Sequence, residues 1–311
     1  MARQDAHARV EQAPAKINLT LRVLGARADT YHEIESLVAF ADIGDRLTLE
    51  PGGALALDVQ GPNASALGAG GDNLVLKAAQ VLAGQVAGLA LGRFALDKRL
   101  PVASGLGGGS ADAAAALRLL AHANGVAPDD PRLFAAARAT GADVPVCLAA
   151  RPRIMRGIGE ILGAPLDLPP LPAVLVNPGA PVATKEVFAR LGLKPGETRA
   201  DPDRAIVPAG REALLAYLAD RPNDLEAPAT ALAPIIADVL ASLRALPECR
   251  LARMSGSGAT CFALFDSATA SAAAERHLRQ AQPGWWVAAT TLGSGRVSSQ
   301  ARALAAPSGG P

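Results

Sequence analysis

Lys16 and Asn18 lie two residues apart in Ala13-Pro-Ala-Lys-Ile-Asn-Leu19, so on a strand both project to one face while Ile17 and Leu19 turn to the other. Asp143 sits in Gly141-Ala-Asp-Val-Pro-Val-Cys147, among apolar neighbours, where a carboxylate needs a partner. If Lys16 and Asp143 meet, each supplies the other's counter-charge. Such a pair can accept a proton and steady the oxygen left behind. Taken singly, each has an ordinary alternative: a lysine on an exposed strand, and an aspartate in a turn or helix cap after Gly141.

The run Pro101-Val-Ala-Ser-Gly-Leu-Gly-Gly-Gly-Ser-Ala111 indicates what such a pair would act on. Gly105, Gly107, Gly108 and Gly109 allow positive φ and a close approach of backbone to ligand. The alanine-rich stretch 111–120 predicts a helix, whose unpaired amides and dipole favour an anion at its start. A tight strand-to-helix turn needs only one or two glycines, so the excess points to phosphate. No lysine follows, which excludes the common P-loop, and 127–130 reads as a loop rather than a strand ending in a ribose-binding acid, which makes it a poor dinucleotide fingerprint. A second glycine-serine turn, Ser255-Gly-Ser-Gly258, reads either as a ligand contact or as a plain hairpin. The four histidines are scattered, no metal-ligand spacing is present, and no Ser/His/Asp triad is supported.

These residues need a scaffold of strands and helices. Strands are predicted at 12–24, 33–50, 92–100, 173–177, 249–254, 261–265 and 286–291. Pro51-Gly52-Gly53 predicts a hairpin joining 47–50 to 54–59. Helices are predicted at 73–83 with Asp72 as N-cap, after Asp130-Pro131, near 211–219 and 232–246, and at 268–280. Segment 194–211 reads as an exposed loop, and the tail beyond Gly295 as frayed. Strands with mixed helices and no regular βαβ repetition make this an α+β protein. The proline-rich stretch 164–172 divides it into domains 1–165 and 166–311.

Composition narrows the function classes. The chain has 311 residues, half of them hydrophobic, and a formal net charge of +1. Such a balance gives no electrostatic footprint for nucleic acid or a membrane surface. Three well-separated cysteines and the absence of an apolar leader or a membrane-length apolar stretch predict a cytoplasmic protein. Oligomeric state is not legible.

Together, Pro-Ala-Lys16-Ile-Asn18-Leu, the glycine run and Ser255-Gly-Ser-Gly-Ala259 resemble the three motifs of the GHMP kinase superfamily. Arg27-Ala-Asp-Thr-Tyr31-His32, Gly141-Ala-Asp143-Val-Pro145 and Gly157-Ile-Gly-Glu160 narrow the resemblance to the 4-diphosphocytidyl-2-C-methyl-D-erythritol kinases of the non-mevalonate isoprenoid pathway. The match spans about residues 13–292. It implies a two-domain fold, an N-terminal ATP-binding domain followed by a substrate-side domain, and phosphorylation of the 2-hydroxyl of 4-diphosphocytidyl-2-C-methyl-D-erythritol with ATP and Mg²⁺. By the resemblance, Lys16 and Asp143 are catalytic. Pro101, Val102, Ala103, Ser104, Gly105, Leu106, Gly107, Gly108, Gly109, Ser110 and Ala111 form the ATP loop. Ser110 is the implied metal contact, and Asn73 and Lys98 lie beside the nucleoside. Asn18, Tyr31, His32, Thr184 and Phe188 contact the substrate, with the aromatic residues around its cytosine. A homoserine- or mevalonate-type kinase has no use for a nucleobase clamp. An inactive nucleotide-binding regulator has no use for the Lys16–Asp143 pair.

Overall fold

A computed structural model describes residues 9–29, 31–67, 73–201 and 206–297. Its strands are β1 (Arg9–Asn18), β2 (Arg22–Ala26), β3 (His32–Pro51), β4 (Ala56–Gln60), β5 (Gly92–Asp97), β6 (Arg153–Gly157) and β7 (Ile161–Leu162), then β8 (Leu171–Asn177), β9 (Cys249–Met254), β10 (Cys261–Phe265) and β11 (Trp286–Gly293). The helices are α1 (Leu74–Gln85), α2 (Gly108–Ala123), α3 (Pro131–Thr140), α4 (Val144–Ala149), α5 (Thr184–Ala189), α6 (Arg211–Ala219), α7 (Glu226–Leu232), α8 (Ile235–Arg244) and α9 (Ala268–Ala281). Strands and helices are thus mixed without βαβ repetition, as an α+β fold requires. Among the described residues no helix is long and apolar enough to cross a membrane.

One sheet runs through the molecule in the order β4-β5-β3-β11-β8-β10-β9, with β1, β2 and β6 also paired to β3. β3 can serve so many partners because it is twenty residues long and each partner uses a different stretch. The Lys16 end of β1 pairs with Phe40 and Val38, and a register shift between Pro14 and Lys16 re-aims that end of the strand. β11 bonds to β3 only at Leu292–Ala41 and Gly293–Phe40, then runs the length of β8. The sheet therefore continues across residue 165.

α2 is the central helix of the N-terminal half, and every residue from Ala111 to Ala121 is buried. Its run of alanines lets it pack on α1, α4, β1 and β3 at close range with few aromatics to accommodate. A second cluster gathers Val174, Val176, Ile236, Val239 and Phe265 under α7, α8 and α9. A third holds Ile17, Leu19, Phe262 and Leu264 against α6.

Several expectations need correction. The hairpin at 51–53 does not form: β4 pairs in parallel with β5, which lies between it and β3. The glycine pair marks a turn, but α1 intervenes and delivers β5 to the closer position. β5 stops at Asp97 rather than 100, because Lys98 is drawn inward by two carboxylates. α2 begins at Gly108, so Gly108 and Gly109 belong to its first turn rather than to the loop. Asn73 caps α1 by accepting from Val75 N; Asp72 lies outside the described residues. The 194–211 segment is not a free loop at its start. Gly196 and Arg199 donate to the Ala26 and Leu24 carbonyls, fastening it to β2.

Candidate active site

A cleft of about 690 Å³ opens between the start of α2, the end of β1 and α5. Lys16 and Asn18 reach it from β1, Asp143 from the residue before α4, Gly105 and Gly107 from the glycine loop, and Gly108, Gly109 and Ser110 from the first turn of α2. Lys16 Nζ lies 3.0 Å from Asp143 Oδ2 and donates to Asn18 Oδ1 at 3.1 Å. Lys16 is almost wholly buried, whereas the Asp143 side chain is 35% exposed, open to a ligand. Asp143 occupies the cap position of α4, yet its side chain caps nothing. Of its two readings, the pair with Lys16 is the one realised. Gly159 carries the loop after β6 close to it: a Cβ there would lie 3.4 Å from Asp143 Oδ1.

Asn18 is held from several sides. Its Nδ2 donates to Ser36 Oγ at 2.7 Å, and its backbone N–H donates to Ser255 Oγ at 3.1 Å. The Ser255 hydroxyl in turn donates to the Gly105 carbonyl at 3.1 Å. One buried serine thus joins β1, the glycine loop and the 255–258 turn, which is no plain hairpin. Ser36 and Ser255 were not among the expected site residues; Ser36 carried no local signal.

The glycine loop is shaped by its neighbours as much as by a ligand. Gly107 has φ 62° and caps α2 without any side-chain bond, so the first amides of the helix face the cleft uncapped. A Cβ on Gly107 would approach Lys16 Cε to 3.1 Å; one on Gly105 would strike the Ser255 carbonyl at 2.5 Å. A Cβ on Gly108 would meet Lys98 Nζ at 3.1 Å, whereas Gly109 has only an ordinary contact with Leu74. Pro101, Val102, Ala103 and Ser104 also line the cleft; Leu106 and Ala111 are buried behind it. Ser110 faces the cleft from the first turn of α2.

Lys98 does not line the cleft. It lies beneath Gly108, with Nζ 2.5 Å from Asp45 Oδ2 and 2.8 Å from Asp112 Oδ2. Burial opposes its charge, but Asp112 and Asp45 outweigh that and hold its pKa above the ordinary lysine value. Burial pushes the Asp112 carboxyl up to about 8, against the pull of Lys98. Asn73 is likewise engaged, as the α1 cap, and Leu74 beside it takes the cleft wall together with Leu67. Cys147 lies behind the Lys16–Asp143 pair; burial and the Asp143 charge push its thiol up to about 12, so it stays neutral.

At the far end of the cleft Phe188 meets His32, ring centroids 4.7 Å apart and planes tilted by 32°. Burial lowers the His32 pKa below its ordinary value. Tyr31 is 57% exposed and lines no part of the cleft. Thr184 does line it, its hydroxyl 2.8 Å from that of Ser257. The structure therefore places Phe188 and Thr184 in the cleft wall, His32 against Phe188 just outside that wall, and Tyr31 away from it.

Known proteins resemble this chain along most of its length. The GHMP kinases N terminal domain profile matches residues 73–151, and the GHMP kinases C terminal profile matches 206–283. A 4-diphosphocytidyl-2-C-methyl-D-erythritol kinase of Xanthobacter autotrophicus is 59% identical over 90% of this chain and 98% of its own. One from Methylorubrum extorquens is 58% identical over 90% and 98%. A crystal structure of 4-(cytidine 5'-diphospho)-2C-methyl-D-erythritol kinase superposes with a TM-score of 0.73 at 38% identity, covering 92% of this chain and 99% of that one. A homoserine kinase from Cytophaga hutchinsonii, 18% identical with a TM-score of 0.66, shares the fold. With an ion pair and an uncapped helix start facing one cleft, and relatives matched along nearly their full length, the chain belongs to the 4-diphosphocytidyl-2-C-methyl-D-erythritol kinase family of the GHMP kinases.

Proposed function

We propose that this chain transfers the γ-phosphoryl group of ATP to the 2-hydroxyl of 4-diphosphocytidyl-2-C-methyl-D-erythritol, in the non-mevalonate route to isoprenoid precursors. The observation that carries the reading is the Lys16–Asp143 pair at 3.0 Å in the same cleft as the uncapped start of α2. Phosphoryl transfer rests chiefly on positioning and charge stabilisation. The first amides of α2 and its dipole hold the ATP phosphates. Asp143, with its exposed oxygen, takes the proton of the acceptor hydroxyl. Lys16 orients Asp143 across their 3.0 Å contact and steadies the acceptor oxygen as its charge develops. Asn18, locked by Ser36 and Ser255, fixes the Lys16 ammonium and the acceptor beside it.

Among the described residues no group of three His, Cys, Asp or Glu side chains could hold a metal. One hydroxyl, Ser110, and one carboxylate, Asp143, at the cleft fit a Mg²⁺ held mainly by phosphate oxygens, with Ser110 as its protein contact. When bound, the ion neutralises charge on the transferring phosphates. Leu67 and Leu74 offer an apolar wall for the ATP base, with Asn73 and Lys98 acting behind it through the α1 cap and the loop. Cytosine recognition by Tyr31, His32, Phe188 and Thr184 requires the His32–Phe188 contact to open and Tyr31 to close over the base. Two functional domains, 1–165 and 166–311, accord with the spans matched by the two family profiles. A cytoplasmic location suits three free cysteines.

The test is ATP consumption by the purified protein with the cytidyl substrate, homoserine or mevalonate as acceptor. Turnover is expected with the cytidyl substrate alone. Turnover with either of the others, or with none, would replace this reading.

A further inference from the structure

Asp45, on β3, is fully buried and lies outside the Lys16–Asp143 pair. Its Oδ1 accepts from two consecutive backbone amides, Arg99 at 2.6 Å and Leu100 at 2.8 Å, directly before the glycine loop. Its Oδ2 accepts from Lys98 Nζ at 2.5 Å, and Lys98 also donates to Asp112 Oδ2, one turn into α2. One carboxylate therefore grips the chain where it leads into the loop and, through Lys98, the helix into which the loop runs. Lys98 Nζ lies 3.1 Å from where a Cβ of Gly108 would be, so the cluster sits directly beneath the cleft floor.

A purely structural account explains this poorly. Two carboxyl groups and one ammonium, all buried, form an expensive arrangement that well-packed apolar residues could replace. Such a cluster makes sense where a defined geometry is needed, and the geometry defined here is that of loop 101–107 and the first amides of α2.

We propose that Asp45 is the positioning residue for the ATP phosphates, fixing the start of the glycine loop through Arg99 and Leu100 and its helix end through Lys98 and Asp112. The inference rests on the kinase reading above. Its signature is selective. A misplaced loop weakens ATP binding, whereas the Lys16–Asp143 pair and the cytosine end have their own supports.

The experiment is steady-state kinetics of Asp45→Asn with ATP and the cytidyl substrate varied in turn. Losing a hydrogen bond to a charged group commonly shifts an equilibrium by about tenfold or more, here the one between the ordered and the misplaced loop. KM for ATP is expected to rise about tenfold or more, with KM for the cytidyl substrate within about twofold. A fall in kcat alone with both KM values unchanged would mark Asp45 as merely structural, and unaltered kinetics would equally overturn the proposal. If Asp45→Asn does not fold, Asp112→Ala carries the test, since alanine suits this helix and the variant removes the helix-end tie. A severalfold rise in KM for ATP alone is then expected, and no rise refutes the proposal. Wild-type protein without ATP-dependent turnover would remove the kinase reading itself, and this inference with it.

Discussion

In the proposed reaction Asp143 and Lys16 act on one proton and one oxygen, so their contributions are shared. Asp143→Asn is expected to keep the fold and lower turnover by about 10²–10⁴, the usual scale for a general base. Adding Lys16→Ala should cost far less than the product of the single losses, because the pair works as a unit. Near-normal turnover of Asp143→Asn would exclude it as the base. His32 gives a second prediction at this scale. Its pKa is lowered by burial, so the unfolded chain takes up a proton first as pH falls. The stability linked to His32 is therefore present above its ordinary value of 6.5 and lost as pH drops through the range below it. In an NMR titration Phe188→Ala should move the His32 midpoint upward, towards 6.5, by uncovering the ring. An unmoved midpoint would mean that Phe188 does not shield it.

At the scale of the element, the glycine loop and α2 divide their glycines by task. Gly107 has positive φ and clears the way for Lys16; Gly109 has neither constraint. Gly107→Ala forces a left-handed alanine, costing roughly 1–2 kcal/mol, and presses a methyl on Lys16. It should lower both the melting temperature and kcat. Gly109→Ala fits the folded protein, so its melting temperature should hold while KM for ATP rises if phosphate oxygens pass over that position. A stable Gly109→Ala with unchanged KM for ATP would place the phosphates away from the first turn of α2.

Across the whole molecule, the proposed cytosine end joins two distant stretches of chain: the β2–β3 connection with Tyr31 and His32, and α5 with Phe188. Base stacking on an aromatic ring is worth about 1–3 kcal/mol. Tyr31→Ala should therefore raise KM for the cytidyl substrate about 5- to 150-fold and leave that for ATP little changed. Because Tyr31 is largely exposed, its removal should not alter the thermal melt. Phe188 also packs against the C-terminal core, so Phe188→Ala should cost stability as well as substrate affinity. A stability loss with unaltered substrate affinity would return Phe188 to the core alone.

Much of this was legible in the sequence, and for definite physical reasons. The alternation of Lys16 and Asn18, the glycine run ahead of an alanine-rich stretch, and the apolar setting of Asp143 are local patterns, and local patterns report which element forms and which face carries charge. They were enough to name the Lys16–Asp143 pair, the nucleotide loop and the α+β class. What they could not report was partnership between distant segments. β5 displaced β4 from β3, against a good turn signal, because a sheet chooses neighbours by tertiary packing as well as by the nearest turn. Lys98 read as a ligand contact became a buried strut, because Asp45 and Asp112, fifty-three and fourteen residues away, converge on it. Ser36 carried no distinguishing type or spacing, and Ser255 only its place in a glycine-serine turn, yet both hold Asn18, since a hydroxyl's value depends on what the fold sets within hydrogen-bond reach of it. Residue chemistry was written locally; which charges were neutralised, and by whom, was decided only when the chain closed on itself.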